Sequence, residues 1–184
     1  MRSVAIFLAD GFEEVEALTV VDLLRRSEIS VCMVSITGKP AVTGSHGITV
    51  MADKLFEELD FSLIDMIVLP GGMPGTQNLE KHEELMEKVR AFYKGGKFVS
   101  AICAAPTVLG HLGLLKKHYA CCYPSMEAEL TGAKVRYSPV EVSGTVITSR
   151  GLGTAIDFAL AIVERFKGAE AANKLAEKIV YQRN

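Results

Sequence analysis

The sequence carries no surplus of either charge. Its 20 lysines and arginines face 22 acidic residues, a formal net charge of −2 over 184 residues. Such a balance offers no general attraction for nucleic acid or anionic lipid. Long apolar runs are missing too. The first, in MRSVAIFLADGF, stops at Asp10, well short of the roughly 20 residues that a membrane helix needs. It also lacks a small-residue cleavage site, so a first strand is expected there rather than a secretory signal. A cytoplasmic protein without membrane segments is the expectation. Cysteine is scarce, and the four present, Cys32, Cys103, Cys121 and Cys122, form neither a disulfide framework nor a Cys-x-x-Cys pair. No His or Cys pair has zinc spacing, so no metal is expected. There is no Walker motif, and Gly151 to Gly153 lacks the third glycine and early acidic partner of a dinucleotide fingerprint. No linker, repeat or low-complexity tract interrupts the chain, which predicts a single domain over residues 1–184.

Apolar residues make up 49% of the sequence, enough for a substantial core. Short apolar runs alternate with longer amphipathic stretches. Strands are expected at Ser3 to Ala9, Ser30 to Ile36, Asp65 to Leu69, Lys97 to Ala101 and Thr145 to Thr148. Most are continuously apolar, as in a parallel sheet covered on both faces. Helical periodicity runs from about Glu13 to Arg26, Glu83 to Lys94, Pro106 to Leu114, Thr154 to Phe166 and Ala169 to Val180. Two hairpins are expected, one within Gly38 to Ala52 and one over Glu141 to Thr148 with Ser143-Gly144 at its turn. The fold class is α/β, a mostly parallel sheet sandwiched by helices. In such sheets ligand chemistry gathers beyond the carboxyl ends of the strands. This selects Asp10 to Glu16, Pro70 to Thr76, Cys103 to Thr107 and Arg150 to Thr154.

Cys103 follows the strand K-F-V-S-A-I directly, and A-A-P-T then opens a helix with Pro106 suited to its first turn. No residues remain for a loop, so the turn must be abrupt and must lift the side chain out of the sheet. A helix amino terminus favours thiolate over thiol, which predicts a depressed Cys103 pKa. Pro70-Gly71-Gly72 lets the backbone approach a ligand closely, and the Gly71 and Gly72 N–H groups are candidate oxyanion donors. One of Glu13, Glu14 and Glu16 can face the thiol as a protonated carboxyl, and spacing does not choose among them. His82, His111 and His118 suit exposed or capping roles. His46, in a glycine-flanked turn, is a candidate to overhang a site, and Arg150 is a candidate anion binder.

Taken in order, A-D-G-F-E-E-V-E, V-L-P-G-G, S-A-I-C-A-A-P-T-V-L and T-S-R-G-L-G-T-A-I-D-F-A-L-A-I-V-E resemble the ThiJ/PfpI superfamily, in the branch of the Parkinson disease protein deglycase. The resemblance runs nearly end to end. It implies a flavodoxin-like Rossmann sandwich that assembles as a homodimer, with Arg25 and Arg26 on the first helix at the contact. It matches Cys103 to an oxidation-sensitive nucleophile, Glu16 to its proton-carrying partner, Gly71 and Gly72 to the amides facing the sulfur, and Arg150 to an arginine near the pocket. At the position of His46 some relatives carry arginine. The histidine that many relatives place before a proline is Tyr123 here, leaving Glu16 as the proton carrier. Ala104 replaces the histidine of the protease-like branch, which argues against proteolysis. The implied activity is cofactor-free glyoxalase or protein deglycase chemistry on methylglyoxal-type α-dicarbonyls or their early adducts on protein side chains. The alternative is an oxidative-stress sensor or chaperone-like protein working through reversible oxidation of Cys103.

Overall fold

The computed structural model describes residues 2–182. Eleven strands and six helices follow one another: β1 (Ser3–Leu8), α1 (Glu14–Arg26), β2 (Ser30–Ser35), β3 (Ala41–Thr43), β4 (Thr49–Met51), β5 (Lys54–Leu55), β6 (Met66–Leu69), α2 (Gly75–Lys81), α3 (Glu83–Lys94), β7 (Phe98–Ile102), α4 (Pro106–His111), β8 (Tyr119–Ala120), β9 (Lys134–Val135), β10 (Val140–Ser143), β11 (Val146–Ser149), α5 (Ala155–Lys167) and α6 (Ala169–Lys178). The main sheet has seven strands in the order β10-β11-β7-β6-β1-β2-β5. All its pairings are parallel except the β10–β11 hairpin at one edge. Counting only β1, β2, β6, β7 and β11, the spatial order is 2-1-3-4-5, the flavodoxin-like winding.

The apolar runs are continuous because both faces of the sheet are buried, and alternate residues serve different layers. Val4, Ile6 and Leu8 of β1, with Met66 and Val68 of β6, pack into a core with α1, α5 and α6. Ala5 and Phe7 of β1, with Ile67 and Leu69 of β6, join Leu85, Val89 and Phe92 of α3 and Val108 and Leu109 of α4 on the other side. A one-residue slip would exchange these two sets, so the register is strongly specified. Winding direction reverses between β1 and β6. The loops leaving those two strands, and the one leaving β7 beside them, converge at a single end of the sheet.

The five expected strands, five helices and two hairpins are present. Four departures have physical causes. Helix α2 starts at Gly75 directly after Pro74, where a Pro-Gly pair reads as a turn. Helix α4 ends at His111 instead of Leu114, because the chain turns at Gly113, whose φ is +72°. Helix α6 ends at Lys178, ahead of the expected Val180, which has φ +59°. Strands β5, β8 and β9 have two residues each, too few for any periodic signal. Among the described residues no helix is long and apolar enough to cross a membrane.

Candidate active site

The loop after β1 and the loop after β6 are stitched together by backbone. Glu13 N–H donates to Gly71 O at 2.8 Å, and Gly75 N–H donates to Gly11 O at 3.1 Å. The approach is close enough that a Cβ on Gly11 would sit 2.5 Å from Pro74 Cδ, and one on Gly72 would collide with Glu13 N. Gly11 and Gly72 also have φ of +86° and +92°, a region that glycine alone enters without cost. This pairing sets α1 so that Glu16 points inward beneath the Pro-Gly-Gly turn.

Cys103 occupies the elbow between β7 and α4 with φ +65°. For a residue with a side chain this costs about 1–2 kcal/mol. Two backbone bonds hold the conformation: Cys103 N–H donates to Ser149 O at 3.0 Å, and Tyr123 N–H donates to Cys103 O at 2.8 Å. A Cβ placed on Gly71 would lie 2.5 Å from Cys103 Cβ, 2.6 Å from Glu16 Oε2 and 3.1 Å from Cys103 Sγ. Thiol and carboxyl therefore meet across a gap that only glycine leaves open.

Glu16 is 1% exposed, and its Oε2 accepts the Gly71 N–H at 2.9 Å. Its Oε1 is buried without a partner at hydrogen-bond geometry, although carboxyl and thiol each register the other in their titration. Burial pushes the Glu16 pKa up to about 7, with the Glu13 charge adding to the rise and the contacts to Cys103 and Gly71 opposing it. Burial first, and then the neighbouring Glu16 charge, push the Cys103 thiol up to about 12, against the Ala104 and Gly72 amides. The expectation of a depressed Cys103 pKa is thus overturned. Loss of water and a carboxylate neighbour outweigh two amides and the start of a helix only six residues long. At rest the sulfur is a thiol beside a carboxyl that titrates near neutrality.

The oxyanion expectation needs one correction. The Gly71 N–H is committed to Glu16 and is not free for a substrate, and the amides facing the sulfur belong to Gly72 and Ala104. The Ala104 amide was missed in sequence because its side chain carries no signal. Among the acidic residues, Glu14 turns the other way. It is 3% exposed and accepts the His46 and Ile48 amides at 2.8 and 3.3 Å. Burial would raise its pKa, but these and other hydrogen bonds win and hold it at about 2. His46 is correspondingly pinned: its Nδ1 lies 3.2 Å from Glu14 Oε2 and 3.5 Å from Glu13 Oε2, with the ring exposed. It caps a loop and makes its contacts with Glu13 and Glu14, not with the thiol–carboxyl pair. Ligand atoms of Glu13, Glu14 and His46 fall within 4.8 Å of one another, but the Glu14 oxygens are already taken by the loop they pin.

Tyr123 and Arg150 flank the other side. A Cβ on Gly151 would lie 3.6 Å from Tyr123 Cδ2 and 4.0 Å from Cys103 Sγ, so the exposed Tyr123 ring borders the sulfur. The Arg150 guanidinium turns outward, donating to Tyr137 O at 3.4 Å and sitting 5.9 Å from the Tyr137 ring centre. Cys121 and Cys122 are buried, and burial raises their pKa values to about 11 and about 12. Neither has a carboxyl partner at hydrogen-bond distance; their sulfurs face the Thr148 and Tyr123 carbonyls.

A flavodoxin-like sheet with an elbow cysteine against a buried glutamate at its switch point defines a class of α/β thiol proteins. The chain belongs to the DJ-1/PfpI family, whose model matches residues 2–165. Within that family it falls in the DJ-1 branch. It is 36% identical over 185 residues to protein DJ-1 homolog B of Arabidopsis thaliana, covering all of this chain and 42% of the plant protein. It is 34% identical over 185 residues to protein dj-1beta of Drosophila melanogaster, covering 100% and 99% of the two chains. The chain thus spans less than half of the plant relative and nearly the whole of the insect one. It is 32% identical over 169 residues to a Caenorhabditis elegans protein named glutathione-independent glyoxalase DJR-1.2, covering 91% and 89%. The solved structure of oxidised Toxoplasma gondii DJ-1 superposes with a TM-score of 0.95 at 33% identity, covering 100% of both chains.

Proposed function

We propose that this protein is a cysteine-dependent, cofactor-free enzyme of the glyoxalase or deglycase type, acting on α-dicarbonyls such as methylglyoxal or their early adducts on protein side chains. The observation that carries this reading is the Cys103–Glu16 pair: a nucleophile beside a carboxyl pushed up to about 7, where it both takes and gives a proton at neutral pH. Glu16 takes the thiol proton as Sγ attacks the aldehyde carbon and passes it to the new oxyanion, which gives a hemithioacetal and frees the carboxylate. The Gly72 and Ala104 amides support charge on the sulfur before attack. The C–H proton of the former aldehyde carbon then moves through Glu16 to the neighbouring carbon while the hydroxyl proton of the hemithioacetal passes to the former ketone oxygen, and the resulting thioester of lactate is cleaved by water. Sulfur regains its proton, and the sum is dicarbonyl plus water giving hydroxy acid. The name of the nematode relative supports this substrate class. The test is mass spectrometry of protein quenched within seconds of mixing with methylglyoxal. An added mass of one dicarbonyl on the Cys103 peptide is expected, and its confinement to lysine and arginine would count against covalent catalysis.

A second reading, oxidation sensing through Cys103, is favoured by the oxidised state in which the Toxoplasma relative was solved. The same amides and carboxyl would hold a sulfinate. For assembly, we propose a homodimer through α1: exposed Val15 and Ile48 line an apolar groove together with Leu18, Ile156 and Ile179.

A further inference from the structure

Three of the segments around the thiol are the turn after β6 that carries Gly72, the elbow that carries Cys103, and the chain around Tyr123. Each runs on into a different element, and the three meet again at one imidazole. Helix α2 carries Glu80, α4 ends in His111, and the strap 123–131, a succession of turns after Tyr123, carries Glu129. His111 Nδ1 lies 2.6 Å from Glu80 Oε1, and Nε2 lies 2.7 Å from Glu129 Oε2.

The strap lies directly on α4. A Cβ on Gly110 would collide with Glu129 O and sit 2.9 Å from Thr131 N, and Leu130 is buried. From Tyr123 onward its turns are linked in series: Met126 N–H to Tyr123 O at 3.1 Å, Glu129 N–H to Met126 O at 3.0 Å and Leu130 N–H to Glu127 O at 3.1 Å. The first link, Tyr123 N–H to Cys103 O, reaches the elbow itself.

We propose that His111 is a positioning residue, a proton-operated clamp that holds the Tyr123 strap against the Cys103 elbow while both of its ring nitrogens donate. Only the imidazolium has two N–H groups. The neutral ring satisfies one carboxylate and releases the other. The charged groups facing the ring are Glu80 from α2 and Glu129 from the strap, and α4 itself, Pro106–His111, adds no other titratable group. Both contacts raise the His111 pKa above its ordinary value of 6.5, Glu129 more than Glu80. The stabilisation is therefore complete below 6.5 and is lost as pH rises through the raised folded value. With side-chain exposures of 39%, 35% and 55% for His111, Glu80 and Glu129, little of it reaches global stability. The effect is local to the strap, whose opening can be separate from global unfolding.

The proposal rests on Cys103 as the working group, but its primary test needs no turnover. Hydrogen exchange is followed by mass spectrometry in the 123–131 peptide, with β1 as reference and intrinsic rates corrected, for wild type and His111→Gln. Wild-type protection should fall about 3- to 10-fold between pH 6 and pH 9, and the variant should show the lower protection at both. At the thiol, Cys103 alkylation rates of the two proteins should differ at pH 6 and converge at pH 9, a pattern that a pH-independent packing role cannot produce. If the variant loses its fold, nuclear magnetic resonance of wild type and Glu80→Gln substitutes, with a wild-type imidazole midpoint above 6.5 that drops in the variant. Equal strap protection in wild type and His111→Gln at pH 6, or a ratio of alkylation rates that stays constant with pH, would overturn the clamp. Absence of lactate formation with the pH step intact would count against the enzymatic reading alone.

Discussion

Replacing Glu16 by glutamine keeps the side-chain shape and an oxygen for the Gly71 N–H, and removes the negative charge and the exchangeable proton. In the native protein the Glu16 charge is the second cause, after burial, of the rise of the Cys103 pKa to about 12. A like charge in contact shifts a group by roughly one to three units. Each unit is tenfold in thiolate at a fixed pH below the pKa. Intrinsic nucleophilicity falls with a Brønsted coefficient of about 0.4–0.5, leaving a net gain of about 3-fold per unit. Alkylation of Cys103 by iodoacetamide at pH 8, read by peptide mass spectrometry, should therefore be faster in Glu16→Gln by about 3- to 30-fold. Lactate formation should move the other way, falling by about 100- to 10,000-fold with loss of the proton carrier. Opposite signs in one variant distinguish removal of a proton shuttle from general damage to the site. Slower alkylation in the variant would refute the reasoning, because it would mean that native Glu16 holds a proton against an existing thiolate.

Other outcomes follow from the same geometry. Gly71→Ala drives a methyl group between Cys103 and Glu16, so both activity and stability should fall, the latter by about 1–3 kcal/mol in urea unfolding. Because the Glu16 pKa is raised from 4.5 to about 7 in the folded state, the native state binds the extra proton. Wild-type stability should decline between pH 4.5 and 7 by up to about 3 kcal/mol, and Glu16→Gln should flatten that limb. Glu14 behaves inversely: its folded pKa of about 2 contributes stability above 4.5 that is lost as pH falls toward 2. Glu14→Ala should remove that acid limb and release the His46 loop to faster proteolysis. Val15→Asp, on the exposed groove of α1, should shift sedimentation toward the monomer without altering the Cys103 alkylation rate.

The parallel sheet could be read from the sequence because its strands are buried on both faces and so appear as unbroken apolar runs. The elbow could be read because Ile102 and Pro106 leave no room for a loop. What escaped depended on contacts between distant segments. Of Glu13, Glu14 and Glu16, local spacing could not say which turns inward; that is fixed by the backbone bond from Glu13 to Gly71 O. The commitment of the Gly71 amide to Glu16 is likewise a contact across 55 positions. The direction of the Cys103 shift was misread because a helix terminus is visible in sequence, whereas burial and a facing carboxylate are not. The hold of the buried Glu14 on the His46 turn is likewise a contact across 32 positions. Glu80 and Glu129 approach His111 from elements whose neighbourhood no periodicity reports.

The most direct measurement is lactate formation from methylglyoxal by wild type and Cys103→Ser in metal-free buffer, each followed against a protein-free blank. Wild type should form lactate well above the blank, and the serine variant, with its fold verified by circular dichroism, should not exceed it. Identical rates for the two proteins would contradict the assignment of the chemistry to this sulfur.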